Sequence, residues 1–596
     1  MALLSSFRAK LGTSAEEDDK SPAIVDTIGE KSASKDLEIN DANASDDGPA
    51  DRPAEDLQDG VREIEAVTLT WSKTTLVAVF INIWLLYLVY AFQYNVLSSL
   101  VPYVTSDFQQ HSQLNLIYVV ANAIQAAMYI PLAKVLDVWG RPTGFITMTG
   151  LATLGMILMA ACQNLPTFCA AYVFYQIGFS GIIFCVDVVT ADSSKLKNRG
   201  LAYAFTSSPY MITAFAGPKA AESFLANVTW RWGFGCFAII LPFVAAPLYF
   251  MLKFNLKKAQ EHGVLPRAKS GRTWLQSIWH YTVEFDALGV FLFAGGLTVF
   301  LLPFSLAAEA PNGWASGYII AMIVVGFVVL CSFVVYEWRL APTPMFTISL
   351  LSDRTVIGAC LLGATYQISY YCWANYFTSF LQAVNNLGVA EAGYVSNTFG
   401  VVSGFFLILV GLSISRSGYF KWLLYIALPL YILAQGLMIY FRRPDQSVGF
   451  LIMCEVFISI GGCIFIIVQQ VAVLAAVDHQ HIAVALSLLF VVGTTGGAIG
   501  STVSGTVWTN TFYKALQEYL PESALENIDM IYADLTTQLS YEVGSLERLA
   551  IQDAYAYAQT RMLAAGTSFM VLAIVAVLLI RNINVAKIQQ VKGTVF

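Results

Sequence analysis

Apolar residues along this chain gather into long runs instead of the short periodic stripes of a soluble fold. Crossing a bilayer takes about 20 mainly apolar residues in helical form. That rule selects stretches at 74–97, 113–135, 143–162, 167–190, 201–220, 232–252, 285–306, 316–336, 355–381, 391–414, 420–440, 448–475, 482–508 and 561–581. The pattern predicts fourteen spanning helices joined mostly by short polar turns.

Basic residues in short loops set orientation. The turns after the second, fourth and sixth runs carry Lys134 and Arg141, then Lys195, Lys197 and Arg199, then Lys253, Lys257, Lys258, Arg267, Lys269 and Arg272. The turns after the first, third, seventh and ninth carry no Lys or Arg. Both termini are expected to be cytoplasmic, with Arg442 and Arg443 against the trend. On this reading residues 1–70 are a tail, 71–252 a six-helix half, 253–284 a cytoplasmic central loop, and 285–354 two inserted helices with a loop. Residues 355–581 form a second six-helix half with an extracellular loop at 509–560, and 582–596 a cytoplasmic C-terminal tail. Connections as long as 509–560 tend to be functional. Its apolar spacing (Leu546, Leu549, Ile551, Tyr555) predicts short amphipathic helices over the outer mouth, the alternative being a solvated linker.

Composition agrees with a membrane protein: 596 residues, 57% hydrophobic and 12% charged. The charge is uneven, because residues 1–70 hold 17 acidic against 7 basic side chains, a net of −10, whereas the whole chain is −7. A Ser-, Asp-, Ala- and Pro-rich segment of this kind buries too little apolar surface to order itself, so a disordered acidic tail is expected. It lacks the basic region and apolar run of a cleaved leader. It is either a solubilising leader or a regulatory segment whose Ser and Lys residues accept phosphate or ubiquitin for endocytosis. The nine cysteines are scattered through the apolar runs and read as small hydrophobes, not as a disulfide framework. No nucleic-acid partner is expected.

Several chemistries are argued against. The glycine run GTTGGAIGST at 493–502 lacks the Lys of a phosphate-binding loop; its four-residue spacings (Gly493 and Gly497, Gly496 and Gly500) suit close helix contact. His479 and His481 in DHQH are two apart, poor spacing for one helix face, with no partner cluster. No metal site is expected, and no nucleophile–base pair indicates an enzyme.

DVWGRP is more informative: Asp137, the tight-turn Gly140 and Arg141 at a cytoplasmic helix junction form a unit that can pair in one conformation and release in another. Asp187, near the inner end of the fourth run, is expected to neutralise Arg141, with Asp137 in the same cluster. Ser415, Gly418 and Lys421 sit at the corresponding turn of the second half, a weak internal repeat.

The ninth run carries TYQISYYCWANYF at 365–377, six aromatic rings with a Gln and an Asn. Tyr366, Tyr370, Trp373 and Phe377 follow one helical face, and Gln367, Tyr371 and Asn375 an adjacent one. Tyr87, Tyr90 and Tyr94, with Gln93 and Asn95, repeat the chemistry in the first run. Single tyrosines near span ends fit the headgroup belt; a Gln and Asn beside such a stripe would be costly against lipid. Lys219 and Glu222 are spaced to pair, as a cargo contact, an outer gate or an interfacial ion pair. Glu455 is the acid most deeply embedded in an apolar run, and intramembrane acids are functional candidates.

Five stretches, ADSSKLKNRGLAYAF (191–205), SPYMITAFAGPKAAESFL (208–225), WRWGFGCFAII (230–240), LQAVNNLGVAEAGYVSN (381–397) and GGAIGSTVSGTVWTNTFYKALQEYLP (496–521), together resemble the fungal siderophore–iron transporters of the major facilitator superfamily, as does QLSYEVGSLERLAIQDAYAYAQTRML (538–563). DVWGRP resembles that superfamily's turn signature, although Val138 and Pro142 stand where basic residues are usual. The resemblance runs from about residue 70 to the end and is nearest the Mir-type carriers. It implies the superfamily's all-α polytopic fold, here with 14 transmembrane helices. It also implies proton-coupled import of a ferric siderophore, triacetylfusarinine C for the Mir type, at the fungal plasma membrane with traffic through endosomal vesicles. Iron would travel as Fe(III)–siderophore, with a proton gradient as the energy source and no cofactor bound by the protein itself.

A ferric trihydroxamate is bulky and net neutral, so it needs amphipathic rings and amides, not a carboxylate cage. The expected substrate-binding set is therefore Tyr90, Tyr94, Gln125, Tyr210, Lys219, Tyr366, Gln367, Tyr370, Trp373, Asn375 and Phe377. Glu455 and Glu222 are the expected proton-coupling acids, Asp137, Gly140, Arg141 and Asp187 the gate, and Tyr541, Tyr555 and Tyr557 the outer-loop contacts. The rivals are a drug or toxin exporter of the same superfamily and a siderophore-sensing receptor. AFAGPKAAES keeps Gly217 and Pro218 but supplies Lys and Glu where an antiporter repeats Gly, which argues against export.

Overall fold

Hydrocarbon offers no water to satisfy backbone N–H and C=O groups, so spanning segments satisfy them internally. Among the described residues every regular element is accordingly helical. The computed structural model describes residues 59–70, 72–111, 114–261, 273–307, 310–342, 348–478, 481–588 and 595. Residues 1–58 of the acidic tail, the central-loop residues 262–272 and His479 lie outside them.

The first group comprises α1 (Asp59–Thr70), α2 (Lys73–Asp107), α3 (Leu114–Trp139), α4 (Arg141–Ala161), α5 (Leu165–Asp192), α6 (Leu196–Ser207), α7 (Pro209–Asn227) and α8 (Trp232–Glu261). Local chemistry sets several boundaries. The Ser72 hydroxyl accepts from Thr75 N–H at 3.2 Å to start α2, and Asn164 with Thr167 forms a capping box at α5. Next come α9 (Trp274–Glu284), α10 (Ala287–Leu306), α11 (Gly317–Arg339) and α12 (Ile348–Ser352). The second group is α13 (Arg354–Ala374), α14 (Phe377–Ala383), α15 (Val389–Ser396), α16 (Thr398–Ser417), α17 (Lys421–Phe441), α18 (Val448–Ala475), α19 (Ile482–Tyr519), α20 (Glu522–Leu525), α21 (Ile528–Ala533), α22 (Leu535–Ser540) and α23 (Leu546–Leu579).

Within the first group α2 packs on α7 and α8, and α4 on α5 and α8; within the second, α13 packs on α18, α19 and α23, and α17 on α18 and α23. The groups meet where α3 lies along α19, α6 against α16, and α7 against α15 and α16. The α10–α11 hairpin leans on α3 and α19 through α10, and α11 turns Val324, Phe327, Val328 and Val334 outward. One end of the bundle carries α20–α22 and is called the capped end here. The other, the turn end, carries the α3–α4 and α16–α17 turns, where Gly140 (φ 82°) and Gly418 (φ 71°) both take left-handed backbone.

Among the described residues, twelve segments are long and apolar enough to cross a membrane. The two expected runs outside this set are 201–220, broken at Ser208 between α6 and α7, and 355–381, whose helix α13 carries tyrosines, Gln367 and Ser369. Three expected boundaries are corrected. Residues 59–70, read as the end of a disordered tail, form α1, which buries Ile64, Ala66 and Val67 against α3 and α8. The loop at 509–560 shrinks to 520–545, because Trp508, Phe512, Leu516, Ile551 and Tyr555 keep helical spacing and are buried beyond the apolar runs. The run 355–381 is not one helix: Asn375 is extended and Tyr376 is left-handed (φ 57°), separating α13 from α14.

Candidate functional site

Tyrosines from both helix groups converge half-way along the bundle. On α2, Tyr90 stacks on Tyr94 with ring centroids 6.5 Å apart, and both meet the edge of Tyr210 on α7, at 6.1 and 6.5 Å. From the other group, Tyr370 on α13 comes close to Tyr94, and Tyr371 approaches Tyr118 of α3 at 6.2 Å. Tyr94 is 38% exposed although these rings surround it. A side chain so enclosed and still accessible borders an internal space, and Tyr90, Tyr210, Gln367, Tyr370 and Tyr371, all half-buried, share it.

The rest of the expected substrate set divides. Gln125 is buried beside this centre, donating to Tyr129 at 2.6 Å and accepting from Gln176 at 3.0 Å. Tyr366 turns away into packing with Tyr431 and Phe465. The break after α13 redirects its last residues. Trp373 is 2% exposed, while Asn375 donates to Asn115 of α3 at 2.5 Å and to Ser504 of α19 at 3.3 Å. Phe377, read as the end of the aromatic stripe, instead lies under Arg442, whose guanidinium carbon is 4.2 Å from the ring centroid. Lys219 pairs with Glu222 on an exposed face of α7, the Lys side chain 68% accessible. The structure does not bring this pair to the tyrosine centre.

Two further acids are buried within the apolar helices, one in each group. Asp187 of α5 accepts from the Tyr87 hydroxyl at 2.9 Å. Glu455 of α18 is fully buried, neither carboxylate oxygen has a hydrogen-bond partner, and its charged neighbour is Arg442.

At the turn end Arg141 is buried and donates to Asp137 at 3.0 Å, to the Leu136 carbonyl at 2.8 Å and to Asp192 at 3.1 Å. The expected Asp187–Arg141 pairing is therefore replaced by Asp192–Arg141. Asp187 lies more than a helical turn further along α5 from the end where Arg141 sits, and is held by Tyr87. Gly140 leaves room for α1, since a Cβ there would come within 2.3 Å of the Glu63 carboxylate. In the second group Ser415 bonds Asn198 of α6 at 2.9 Å, and Lys421 donates to the Ile580 carbonyl.

Residues 83–501 match the family model described as Major Facilitator Superfamily. The chain is 56% identical over 588 residues to "Siderophore iron transporter mirB" of Emericella nidulans, covering 98% of this chain and 97% of that protein. It is 53% identical to "MFS siderochrome iron transporter 1" of Gibberella zeae (97% and 95% covered) and 49% identical to "MFS siderochrome iron transporter B" of Aspergillus fumigatus (100% and 97%). The chain belongs to the siderophore–iron transporter family of the Major Facilitator Superfamily. This is a family of multi-pass membrane transporters, not of enzymes. A bacterial homologue of the human lysosomal transporter Spinster, in an inward-facing and unoccupied conformation, shares the fold at TM-score 0.52 and 17% identity, covering 86% of this chain and 98% of that one.

At its capped end this family member closes with residues that sequence reading passed over. Arg548 of α23 donates to the Gln538 carbonyl at 2.5 Å, the Gln382 carbonyl at 3.1 Å and Asn386 at 3.1 Å, tying the cap to α14. Tyr103 of α2 bonds Gln382. Of the expected outer-loop tyrosines, Tyr555 is buried and donates to Gln538 at 2.7 Å, Tyr557 lies beneath Arg561, and Tyr541 is half-buried. Tyr555 is thus a strut of the cap. His111, between α2 and α3, is buried near the Thr105 hydroxyl (3.4 Å) and Tyr376, and burial pushes its imidazole down to about 4. Arg442 gave a signal in the sequence, a basic residue on the wrong side of the orientation pattern; burial accounts for Arg442, while its neighbour Arg443 is exposed.

Proposed function

We propose that this protein is a proton-coupled importer of ferric hydroxamate siderophores, triacetylfusarinine C foremost, working by alternating access. The observation that carries the reading is the tyrosine centre itself. Rings and amides from α2, α7 and α13, with no charged side chain among them, border the space between the two helix groups, and the acids Asp187 and Glu455 are buried within the helices of each group. This chemistry suits a bulky complex in which three hydroxamates cancel the charge of Fe(III): aromatic faces cover its apolar surface while hydroxyls and amides meet its carbonyl oxygens. The names of the relatives point to the same cargo class. Iron is cargo, and the protein itself holds no cofactor.

A neutral cargo brings no driving force, so accumulation draws on protons. An inside-negative potential contributes about 2.3 kcal/mol per charge per 100 mV, so one proton per cycle supports uptake. Glu455 is the acid we assign to carry it; Glu222, exposed and paired, is the weaker candidate. The Asp137–Arg141–Asp192 cluster locks the turn end, and the Asn115–Asn375 and Tyr103–Gln382 contacts close the capped end. On this reading the turn end and both termini face the cytoplasm, the protein resides in the fungal plasma membrane and passes through endosomes, and its acidic tail is the handle for ubiquitin-dependent retrieval.

The test is uptake of radioactive iron, delivered as a panel of ferric siderophores, in yeast stripped of its own siderophore carriers, with and without a protonophore. Protonophore-sensitive accumulation of a hydroxamate complex is the expected result. No accumulation despite surface expression would overturn import and leave export as the reading to assay.

A further inference from the structure

Arg442 caps the end of α17, where a charge on a loop would ordinarily face water, yet it is fully buried. One of its nitrogens, Nη1, donates to the Trp373 carbonyl at 2.9 Å and to Gln559 Oε1 at 2.7 Å. Its Nε and Nη2 have no hydrogen-bond partner, and neither do the two oxygens of Glu455. A buried guanidinium with two idle donor nitrogens therefore neighbours a buried carboxyl with two idle acceptors. Leaving such groups unmade is costly, so an alternative arrangement that joins them is close in energy.

The Trp373 carbonyl belongs to the last turn of α13. Beyond it Asn375 leaves the helix and reaches across to Asn115 of the first group, and Gln559 also donates to the Asn375 carbonyl at 3.4 Å. Three residues before Trp373 stands Tyr370, at the tyrosine centre. Arg442 thus grips the segment that both lines the central space and closes the capped end.

We propose that Arg442 is a positioning residue that transmits the protonation state of Glu455 to the α13–α14 break. When Glu455 is protonated it is neutral, and Arg442 stays on the Trp373 carbonyl and Gln559, the arrangement seen here. When Glu455 releases its proton to water, its carboxylate takes the idle Nε and Nη2 donors and draws the guanidinium from the break. This loosens Asn375 from Asn115 and shifts Tyr370. Arg442 keeps its own proton throughout, and the transported proton enters from water and returns to water. Helix α18 packs on α6, α13, α16, α17 and α19, and the titratable side chains bearing on Glu455 are Arg442, at the end of α17, and Cys454 beside it on α18. The inference rests on Glu455 being the proton-carrying acid.

The experiment compares wild type, Glu455→Gln, Arg442→Gln and the double variant in the same yeast, with surface expression quantified. Two readouts are taken for each: protonophore-sensitive accumulation across external pH, and gradient-independent exchange of internal for external ferric siderophore. Wild type should accumulate, and Glu455→Gln should exchange without pH dependence. Arg442→Gln should lose exchange by roughly tenfold or more, because it strands a buried carboxylate, and the double variant should regain it. A double variant no better than Arg442→Gln, in the face of normal surface expression, would overturn the transmission role. Wild-type accumulation insensitive to protonophore would instead overturn the coupling reading, so the two failures are distinct.

Discussion

Asn375, at the end of α13, donates to Asn115 of α3 at 2.5 Å, joining the two helix groups in a buried site shared with Ser504. The contact exists because α13 stops one residue earlier and exposes an extended backbone there. Asn375→Ala leaves two buried polar side chains short of a partner, a cost of about 1–3 kcal/mol. We expect a lower thermal transition of the purified protein and reduced siderophore uptake, with Asn375→Gln recovering neither, since its longer side chain does not fit. Thermal unfolding and radioactive uptake measure the two effects.

Tyr94 and Tyr370 come together from the two helix groups at the tyrosine centre. Tyr94→Phe and Tyr370→Phe keep the rings and each remove one hydroxyl that the cargo's oxygens can meet, so KM for uptake should rise roughly threefold to tenfold with little change in maximal rate. Tyr→Ala at either site should cost more, because the aromatic face goes too. The concentration dependence of uptake separates the two contributions.

Asp192 and Asp187 stand on the same helix with different partners. Asp192→Asn weakens the clasp on buried Arg141, so it should impair uptake severely and shift the conformational equilibrium at the turn end. Asp187→Asn keeps a group that can accept from Tyr87 and leaves the Arg141 clasp intact. Accessibility of a single cysteine introduced at the turn end, read by thiol labelling, should change for Asp192→Asn and stay near wild type for Asp187→Asn.

Gly140 combines φ 82° with the Glu63 carboxylate in the place of its missing Cβ. Gly140→Ala at φ 82°, ψ 159° incurs backbone strain of about 1–3 kcal/mol and displaces α1. Surface expression and thermal stability should both fall. Glu63→Ala in the same background should restore only the part due to the clash.

His111 is buried neutral, pushed down to about 4 from 6.5 by burial. Its unfolded form binds a proton at a higher pH than the folded one, so stability is intact above about 6.5 and drains away as pH falls through the range toward 4. The full loss is about 3 kcal/mol. Wild-type melting temperature should drop on acidification through this window, and His111→Gln should flatten that part of the profile.

Much of this protein was legible in its sequence because the bilayer imposes a one-dimensional rule: apolar length decides what spans, and Tyr, Gln and Asn inside such a run stand out. Tyr90, Tyr94 and Tyr370 were found that way and do meet, as were the buried acids Asp187 and Glu455 and the turn glycines Gly140 and Gly418. The sequence could not settle which partner each buried charge takes. Arg141 pairs with Asp192 instead of Asp187, a choice made by depth along α5 and not by residue type. Phe377 leaves the aromatic stripe because Tyr376 turns left-handed and breaks the helix, which no periodicity of apolar positions records. Arg442 looked like a misplaced loop charge until the packing of α13, α17 and α23 enclosed it. The many-span, all-helical architecture and the family thus follow from local composition and pattern. The pairing of buried charges and the break that joins the two groups were decided by tertiary structure, because both depend on distances between helices far apart in the chain.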